Sequence, residues 1–321
     1  TGKPTSRSTI PSPPEYARVS RRMITMNPIK SVTDFVGIIL NRKVTKNAVV
    51  TYRGHGSTDF RLTPSIFRKT ATCKNEHILL RELIAAHPED FDRDTSALEM
   101  LVRMQHFSLP TRLLDVTMNP LVALYFACEK VKQIIPVLGE KSRRNMDGHV
   151  VVLSVPKQRV RYFDSDTVSC ITNLARLSWN YKNEIDTNLD LEKFNNSTSI
   201  KRLLHFIRQE KNGFLGEINP ADLDSIILVK PKQNNKRILA QAGAFFAFGL
   251  KDEIGSRSGD RIRVNHIVIP ADAKRNILNE LDKLGINEKT MFPDIERAAR
   301  YITGTLSSSN AATKLLRRPA E

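Results

Sequence analysis

The sequence predicts an α+β fold in which helices surround one mostly antiparallel β-sheet. About five segments have strand character and about seven have helical spacing, and the two kinds do not alternate regularly as they do in doubly wound parallel folds. Glycine-rich loops of the G-x-x-x-x-G-K-[ST] and G-x-G-x-x-G types are absent, so P-loop and Rossmann folds are not supported. Hydrophobic residues make up 40% and charged residues 26% of the 321 positions, which is typical of a globular protein.

The predicted strands are runs rich in β-branched and aromatic residues. In chain order they are NAVVTYRG (47–54), GHVVVLSVP (148–156), DSIILVKP (224–231), RILAQAGAFFAFG (237–249) and RVNHIVIP (263–270). The fourth run alternates in part but also contains three consecutive small residues at 242–244.

The predicted helices have apolar residues at three- and four-residue spacing. They cover 31–42, 76–91, 94–108, 119–132, 166–180, 199–211 and 272–286, with a final short helix at 293–303. Their boundaries follow from caps and breakers: Ser31 or Thr33, then Asp94, Thr95 or Ser96, then Asn119 as N-caps, with Pro88 and Gly285 as stops.

We expect one domain at 23–302, between a flexible basic arm at 1–22 and a C-terminal tail at 303–321. No apolar run approaches the ~18 residues of a membrane span. The three cysteines lack metal-ligand spacing, and no H-E-x-x-H motif occurs, so the sequence predicts free thiols and no metal site. Together these features favour a reducing, cytoplasmic location.

The net charge is +16, from 50 Lys and Arg against 34 Asp and Glu. Such an excess favours a polyanionic partner, above all a nucleic acid, because phosphate contacts supply most non-specific affinity. A solubility role or an acidic protein partner would explain the same charge.

Arg53 is the first candidate site residue, because it stands at the end of a predicted strand and precedes Gly54. A guanidinium grips phosphate well, and a glycine lets a ligand approach the backbone. A surface charge or a structural ion pair are the alternatives.

The segment 104–128 sets polar residues into apolar surroundings, where they must pair with one another or face a pocket. They are Gln105, His106, Arg112, Asp115, Thr117 and Asn119. We expect Asn119 to cap the following helix and Asp115 to pair with Arg112. A histidine such as His106 is more often a satisfied core residue than a functional one.

Gln241 is the third candidate. It lies on the predicted strand 237–249 beside Gly243, where a neutral side chain could contact a ligand hydroxyl. An edge or bulge position is the alternative.

Three segments, YRGHGSTDFRLTPSIFR, MQHFSLPTRLLDVTMNPLVALYFAC and KRILAQAGAFF, resemble successive motifs of the FRG domain family, with Tyr52 in place of the eponymous Phe. The resemblance runs from about residue 30 to 302. The order of these motifs also resembles that of ADP-ribosyltransferases, which implies a single ADP-ribosyltransferase-like domain with a split, mostly antiparallel sheet.

That resemblance implies NAD as the substrate cofactor and no metal. Arg53 would bind its pyrophosphate or ribose, Thr117 would position Arg53 or the nicotinamide ribose, and Gln241 would replace the usual glutamate. The implied cofactor contacts also include Tyr52, Gly54, Gln105, Tyr125 and Phe245, with the aromatic residues stacking on nicotinamide. Asp115, or in reserve Glu82, would supply the negative charge that a glutamine lacks, and His106 or Asp115 would act as general base.

The resulting hypothesis is an NAD-dependent ADP-ribosyltransferase toxin of bacterial anti-phage defence that modifies a nucleic acid, with RNA favoured over DNA, and that is neutralised by an antitoxin protein. Three alternatives stay open: a non-catalytic basic module that binds RNA or nucleotides, a protein-directed ADP-ribosyltransferase, and an NAD hydrolase.

Overall fold

A computed structural model describes residues 29–43, 46–137, 140–255 and 261–293. The predicted arm at 1–22, the tail at 303–321 and all but the first residue of the predicted helix at 293–303 lie outside the described residues.

The described strands are β1 Ala48–His55, β2 Leu113–Thr117, β3 Lys132–Val137, β4 Glu140–Asn145, β5 Gly148–Pro156, β6 Val160–Tyr162, β7 Ile226–Lys230, β8 Gly243–Phe248 and β9 Arg263–Ile269. The described helices are α1 Val32–Leu40, α2 Thr70–Lys74, α3 Glu76–Ala86, α4 Pro88–Phe91, α5 Ala97–His106, α6 Pro120–Ala127, α7 Asp166–Asn173, α8 Trp179–Asn183, α9 Leu191–Asn196, α10 Thr198–Glu210, α11 Pro220–Leu223, α12 Lys236–Ala240, α13 Lys274–Lys283 and α14 Glu288–Met291.

Seven strands form one sheet in the order β6-β7-β8-β2-β1-β5-β9, and β3 and β4 form a separate hairpin. Every neighbouring pair in the large sheet is antiparallel except β6 with β7. The α+β class and the mostly antiparallel sheet are therefore confirmed.

The junction between β1 and β2 is the weakest in the sheet. A single residue pair, Tyr52 with Thr117, joins these two strands, whereas β1 pairs with β5 over eight residues and β2 pairs with β8 over five. Beyond that pair the two strands diverge, and this divergence opens the space in which most of the candidate residues lie.

Both faces of the sheet are covered. Helices α1, α6 and α13 cover β1, β5 and β9 through a cluster that includes Phe35, Leu124 and Ile277. Helices α5 and α7 cover β7 and β8 through a second cluster, and a third fills the opposite face with Val151 and Phe246. Burying apolar side chains in this way is the main driving force for folding.

Most predicted elements are confirmed with shorter boundaries. Ser31 and Asp34 form a capping box at α1, Ser96 caps α5 and Asn119 caps α6. Helix α13 ends before Gly285, which has a left-handed backbone with φ +77°. The thiols of the three cysteines are free.

Several sequence-based assignments were wrong or incomplete. Helix α6 ends at Ala127 rather than at 132, and the hairpin β3–β4 follows. Strands β2 and β6 were missed, because each is short and lies beside stronger helix or turn signals. The predicted strand 237–249 is instead a helix, α12, followed by β8. No helix within the described residues is long and apolar enough to cross a membrane.

Candidate functional site

A cavity of about 700 Å³ lies where β1 and β2 diverge. This volume is in the range of pockets that enclose small-molecule ligands and cofactors. Its lining combines arginines, aromatic rings and carboxylates: Arg53, Arg61, Arg68, Arg237, Tyr52, Phe60, Phe67, Phe126, Asp59, Asp115, Glu129, Asp252 and Glu253. We call this space the cleft.

Arg53 spans the gap between the diverging strands. Its Nη1 donates to the backbone carbonyl of Asp115 on β2, and its Nε donates to Nε2 of His55 over 2.8 Å. Both acceptors are uncharged, and among the described residues no carboxylate forms an ion pair with Arg53. Burial lowers the pKa of the guanidinium, while Asp115 raises it and Arg68 lowers it, but an arginine stays protonated in proteins. The half-buried guanidinium therefore presents a positive charge to the cleft.

His55 fixes the orientation of Arg53. Because Arg53 can only donate, His55 must accept at Nε2 and carry its own proton on Nδ1, which lies 2.9 Å from Nε2 of His149. Burial, followed by the charge of Arg53, lowers the pKa of His55 to about 2. His55 is therefore neutral at physiological pH, and the ring of His149 also contacts that of His266.

Gly54 serves packing more than ligand approach. A Cβ atom there would lie 1.9 Å from the backbone oxygen of Ala123 and 2.6 Å from the backbone nitrogen of Ala127. Gly54 lines the cleft, but the structural reason for a glycine after Arg53 is the close approach of α6 to β1.

Thr117 and Gln241 meet beside the cleft. The Thr117 hydroxyl donates to the backbone carbonyl of Gln241 over 2.6 Å and accepts from the backbone of Asn119. Thr117 thus joins β2 to the turn before β8, and the hydrogen bonds of its hydroxyl are made to the backbone rather than to the side chain of Arg53.

The placement of Gln241 on a strand was wrong. Gln241 is the C-cap of α12, and Ala242 beside it has a left-handed backbone with φ +45° before β8 begins. The side-chain amide nitrogen of Gln241 donates to the backbone carbonyl of Met291 over 2.9 Å. Gln241 lines the cleft, but its amide group is directed to the end of α14.

The expected pairing of Asp115 with Arg112 was also wrong. Arg112 is 2% exposed and binds Glu76 through two hydrogen bonds, while Lys182 binds the same carboxylate over 2.6 Å. Arg112 also donates to the carbonyls of Phe248 and Gly249. We call Glu76, Arg112 and Lys182 the buried triad. Asp115 is exposed and its side chain is left to face the cleft.

The other predicted contacts lie outside the cleft. Gln105, His106 and Phe245 line a second, much smaller cavity of about 50 Å³, which shares Asp115 and Gln241 with the cleft. Gln105 accepts a hydrogen bond from Thr111, and the ring of His106 packs on Phe107.

Tyr125 and Glu82 are likewise absent from the lining. Tyr125 packs edge-on against Phe126, and it is Phe126 that reaches the cleft. Glu82 is exposed on α3.

Five further residues line the cleft that the sequence did not predict: His55, Arg68, Phe67, Phe126 and Arg237. His55 and Arg68 belong to the motif at residues 52–68. Side chains alternate between the two faces of a strand, so the spacing of two residues on β1 would have placed His55 on the same face as Arg53. For Arg237 no such signal exists, because it reaches the cleft through tertiary packing. Among the described residues no group of three or more His, Cys, Asp or Glu side chains is placed to hold a metal ion.

Residues 48–134 match the family model of the FRG domain. This segment is therefore similar to the FRG domain, and it contains β1, β2, α6 and the residues Tyr52, Arg53, Asp115 and Thr117. Searches of curated proteins and of solved structures found no match.

Proposed function

We propose that this chain, which is similar to the FRG domain at residues 48–134, is an NAD-dependent ADP-ribosyltransferase that modifies a nucleic acid, with RNA as the favoured acceptor. The observation that carries the proposal is Arg53, a half-buried guanidinium that forms no ion pair with a described carboxylate and that lines a cleft of ligand size. Such a charge is best satisfied by an anionic ligand, because a buried charge without a counter-ion is unfavourable.

Four arginines and five carboxylates line the cleft, and within this mixed lining two features support a dinucleotide. A pyrophosphate carries two negative charges, and Arg53 has Arg68 beside it in the same cleft, so the two guanidinium groups could share it. Tyr52 and Phe126 supply rings on which a base or nicotinamide could stack.

The proposed reaction breaks the bond between nicotinamide and C1′ of its ribose. Nicotinamide leaves as a neutral molecule with the bonding electron pair, a lone pair of the acceptor forms the new bond to C1′, and the acceptor's proton passes to a base. Positive charge develops on the ribose in the transition state, so a nearby carboxylate accelerates the step. Asp115 is the proposed carboxylate and base, because it is exposed to the cleft on the strand that faces Arg53.

In cells we propose a cytoplasmic toxin of bacterial anti-phage defence that an antitoxin protein neutralises. This part of the proposal rests on the similarity to the FRG domain and on the resemblance of its motifs to ADP-ribosyltransferases. The net charge of +16 supports a nucleic acid as the acceptor.

One observation favours a second candidate, binding without turnover. The residue in the place of the usual glutamate, Gln241, is neutral and its amide nitrogen is held by the carbonyl of Met291. A protein that binds a nucleotide through Arg53 but leaves the glycosidic bond intact would need no carboxylate at this position.

The test compares Arg53→Ala and Arg53→Lys with a matched control, Arg275→Ala, which removes an exposed arginine from α13. NAD affinity is measured by calorimetry, nicotinamide release by chromatography, and label transfer from NAD to RNA, DNA or protein by gel. We expect Arg53→Ala to abolish release and transfer, Arg53→Lys to rescue little because a lysine lacks the guanidinium fork, and the control to behave as wild type.

Wild-type protein that binds NAD without releasing nicotinamide would establish the second candidate instead. Nicotinamide release without any labelled polymer would identify an NAD hydrolase. Absence of NAD binding would refute both readings of the cleft.

A further inference from the structure

A basic surface lies on the sheet edge farthest from β9, where β6 is the last strand. It is formed by residues 157–163 and 230–237, and we call it the basic ridge. These two segments contain seven cationic side chains and no acidic one: Lys157, Arg159, Arg161, Lys230, Lys232, Lys236 and Arg237. The cations are brought together by the parallel pairing of β6 with β7, which sets Tyr162 opposite Lys230.

Aromatic rings lie among these charges. Tyr162 is 63% exposed, and the ammonium group of Lys230 lies 5.4 Å from the centre of its ring. The ammonium group of Lys232 lies 5.0 Å from the ring centre of Phe163. An exposed aromatic side chain flanked by cations is the arrangement on which single-stranded nucleic acids bind, because bases stack on the ring while phosphates meet the charges.

Acidic residues also lie beside the basic ridge. Glu99 pairs with Lys232, and Asp166 pairs with Lys211, which also contacts the backbone of Asp164. Among the described residues, no ion pair of Lys230 or Lys236 is found, and both side chains are exposed.

The basic ridge leads to the cleft. Its second segment begins at Lys230, at the end of β7, and ends at Arg237, which lines the cleft. β7 and β1 are separated by β8 and β2, so three strand spacings place them about 14 Å apart across the sheet. Asn235, two residues before Arg237, lines the small cavity that adjoins the cleft.

We propose that the basic ridge is the docking surface for a single-stranded nucleic acid, and that it guides the strand from Tyr162 to the cleft along residues 230–237. The inference deepens the proposed function and rests on it for the role of the bound strand as acceptor. Docking itself requires no turnover of NAD, so it can be tested separately.

The test is the affinity for a fluorescent single-stranded RNA of about 20 nucleotides, measured by anisotropy without NAD at several salt concentrations. Lys230→Glu combined with Lys236→Glu is compared with Arg275→Glu combined with Lys283→Glu, two exposed cations on α13 that undergo the same change of charge. We expect at least a tenfold loss for the ridge variant and less than threefold for the control. The slope of log affinity against log salt should fall by about 1.4 in the ridge variant, since each lost phosphate contact accounts for about 0.7.

Stacking is tested with Tyr162→Ala and its conservative counterpart Tyr162→Phe. Loss of one stacked base should weaken binding about 5- to 160-fold in the alanine variant, and the phenylalanine variant should bind within about twofold of wild type. A duplex of the same sequence should not respond to Tyr162→Ala, because its bases are not available to the ring.

Equal losses in the ridge and α13 variants would overturn the proposal, since net charge alone would then explain binding. A ridge variant that self-associates but binds RNA normally would also overturn the proposal. The cations would then serve to protect the edge strand against pairing with another chain. Normal nicotinamide release with unchanged RNA affinity in the ridge variant would sink the docking inference and leave the proposed function intact. If RNA binding depends on the basic ridge but the protein never cleaves NAD, the docking inference stands and the proposed function fails.

Discussion

Replacement of Glu76 by Gln should be among the most destabilising single changes available to this chain. The carboxylate is 3% exposed and receives hydrogen bonds from Arg112 over 2.9 and 2.5 Å and from Lys182 over 2.6 Å. The glutamine keeps the shape but removes the negative charge, and its amide would face cationic donors. Arg112 and Lys182 then become two buried cations without a counter-ion.

Breaking one buried ion pair by removal of a partner costs about 3–5 kcal/mol, and Glu76 belongs to two such pairs, so the upper end of this range is expected. Total stabilities are about 5–15 kcal/mol, so the loss is a large fraction of the whole. Urea unfolding followed by circular dichroism measures it. The matched control is Asp190→Asn, which breaks the exposed pair with Lys193 and should leave the midpoint unchanged.

A second variant identifies the cause. Adding Lys182→Met to Glu76→Gln removes one of the two unpaired cations and should recover part of the loss. A Glu76→Gln variant no less stable than Asp190→Asn, or a further loss of stability on adding Lys182→Met, would show that unpaired buried cations are not the cause.

Glu76 should also make the free energy of unfolding depend on pH, with stability lost at low pH. Burial alone would raise the pKa of Glu76, but Arg112 and Lys182 outweigh it and hold the pKa below its usual range. A carboxyl group whose pKa is lowered on folding contributes stability that is fully present above its unfolded pKa, about 4.3, and is lost as the pH falls through its folded pKa. The difference in stability between wild type and Glu76→Gln should therefore narrow below about pH 4.

Two further predictions concern β1. Gly54→Ala should destabilise the protein by about 1–3 kcal/mol or prevent folding, because the new Cβ would overlap the backbone of α6. The control Gly213→Ala, with nothing within 4 Å of its added Cβ, should have the melting temperature of the wild type. Equal melting temperatures for the two variants would contradict the close packing of α6 on Gly54. The ring protons of His55 should show no titration in NMR spectra between pH 4 and 8, because burial and Arg53 lower its pKa to about 2; an inflection in that range would mean that Arg53 is not held by a neutral histidine.

The sequence predicted the fold class well because the long elements have strong periodicity. Strands β1, β5 and β9 and helices α1, α5 and α10 were found from apolar spacing and caps that act over a few residues. Short elements carry too few residues for a period to appear, and β2, with five residues between two prolines, was missed for this reason.

Gln241 shows where local pattern misleads. The run 237–249 reads as one strand because its apolar residues partly alternate, yet Asn235 caps a five-residue helix and the strand starts only at Gly243. The backbone turns at Ala242, and this turn is held by Thr117 from another element. Such a constraint is set by tertiary structure and has no signature in the run itself.

Some residues of the candidate site could be predicted from the sequence, but their hydrogen-bond partners could not. Tyr52, Arg53, Asp115, Thr117 and Gln241 do line one cleft, which their order along the chain had suggested. Their partners were not predictable, because the partner of Arg112 lies 36 residues away on α3 rather than three residues away at Asp115.

The single residue pair between β1 and β2 divides the large sheet into two parts, β1-β5-β9 and β6-β7-β8-β2, which meet at Tyr52 and Thr117 and are also joined by the hydrogen bond from Arg53 to the Asp115 carbonyl. The ligand that we propose for the cleft would therefore contact both parts, through Arg53 on β1 and Asp115 on β2. Its binding would stabilise their relative placement, and by reciprocity a change in that placement would alter the affinity for the ligand.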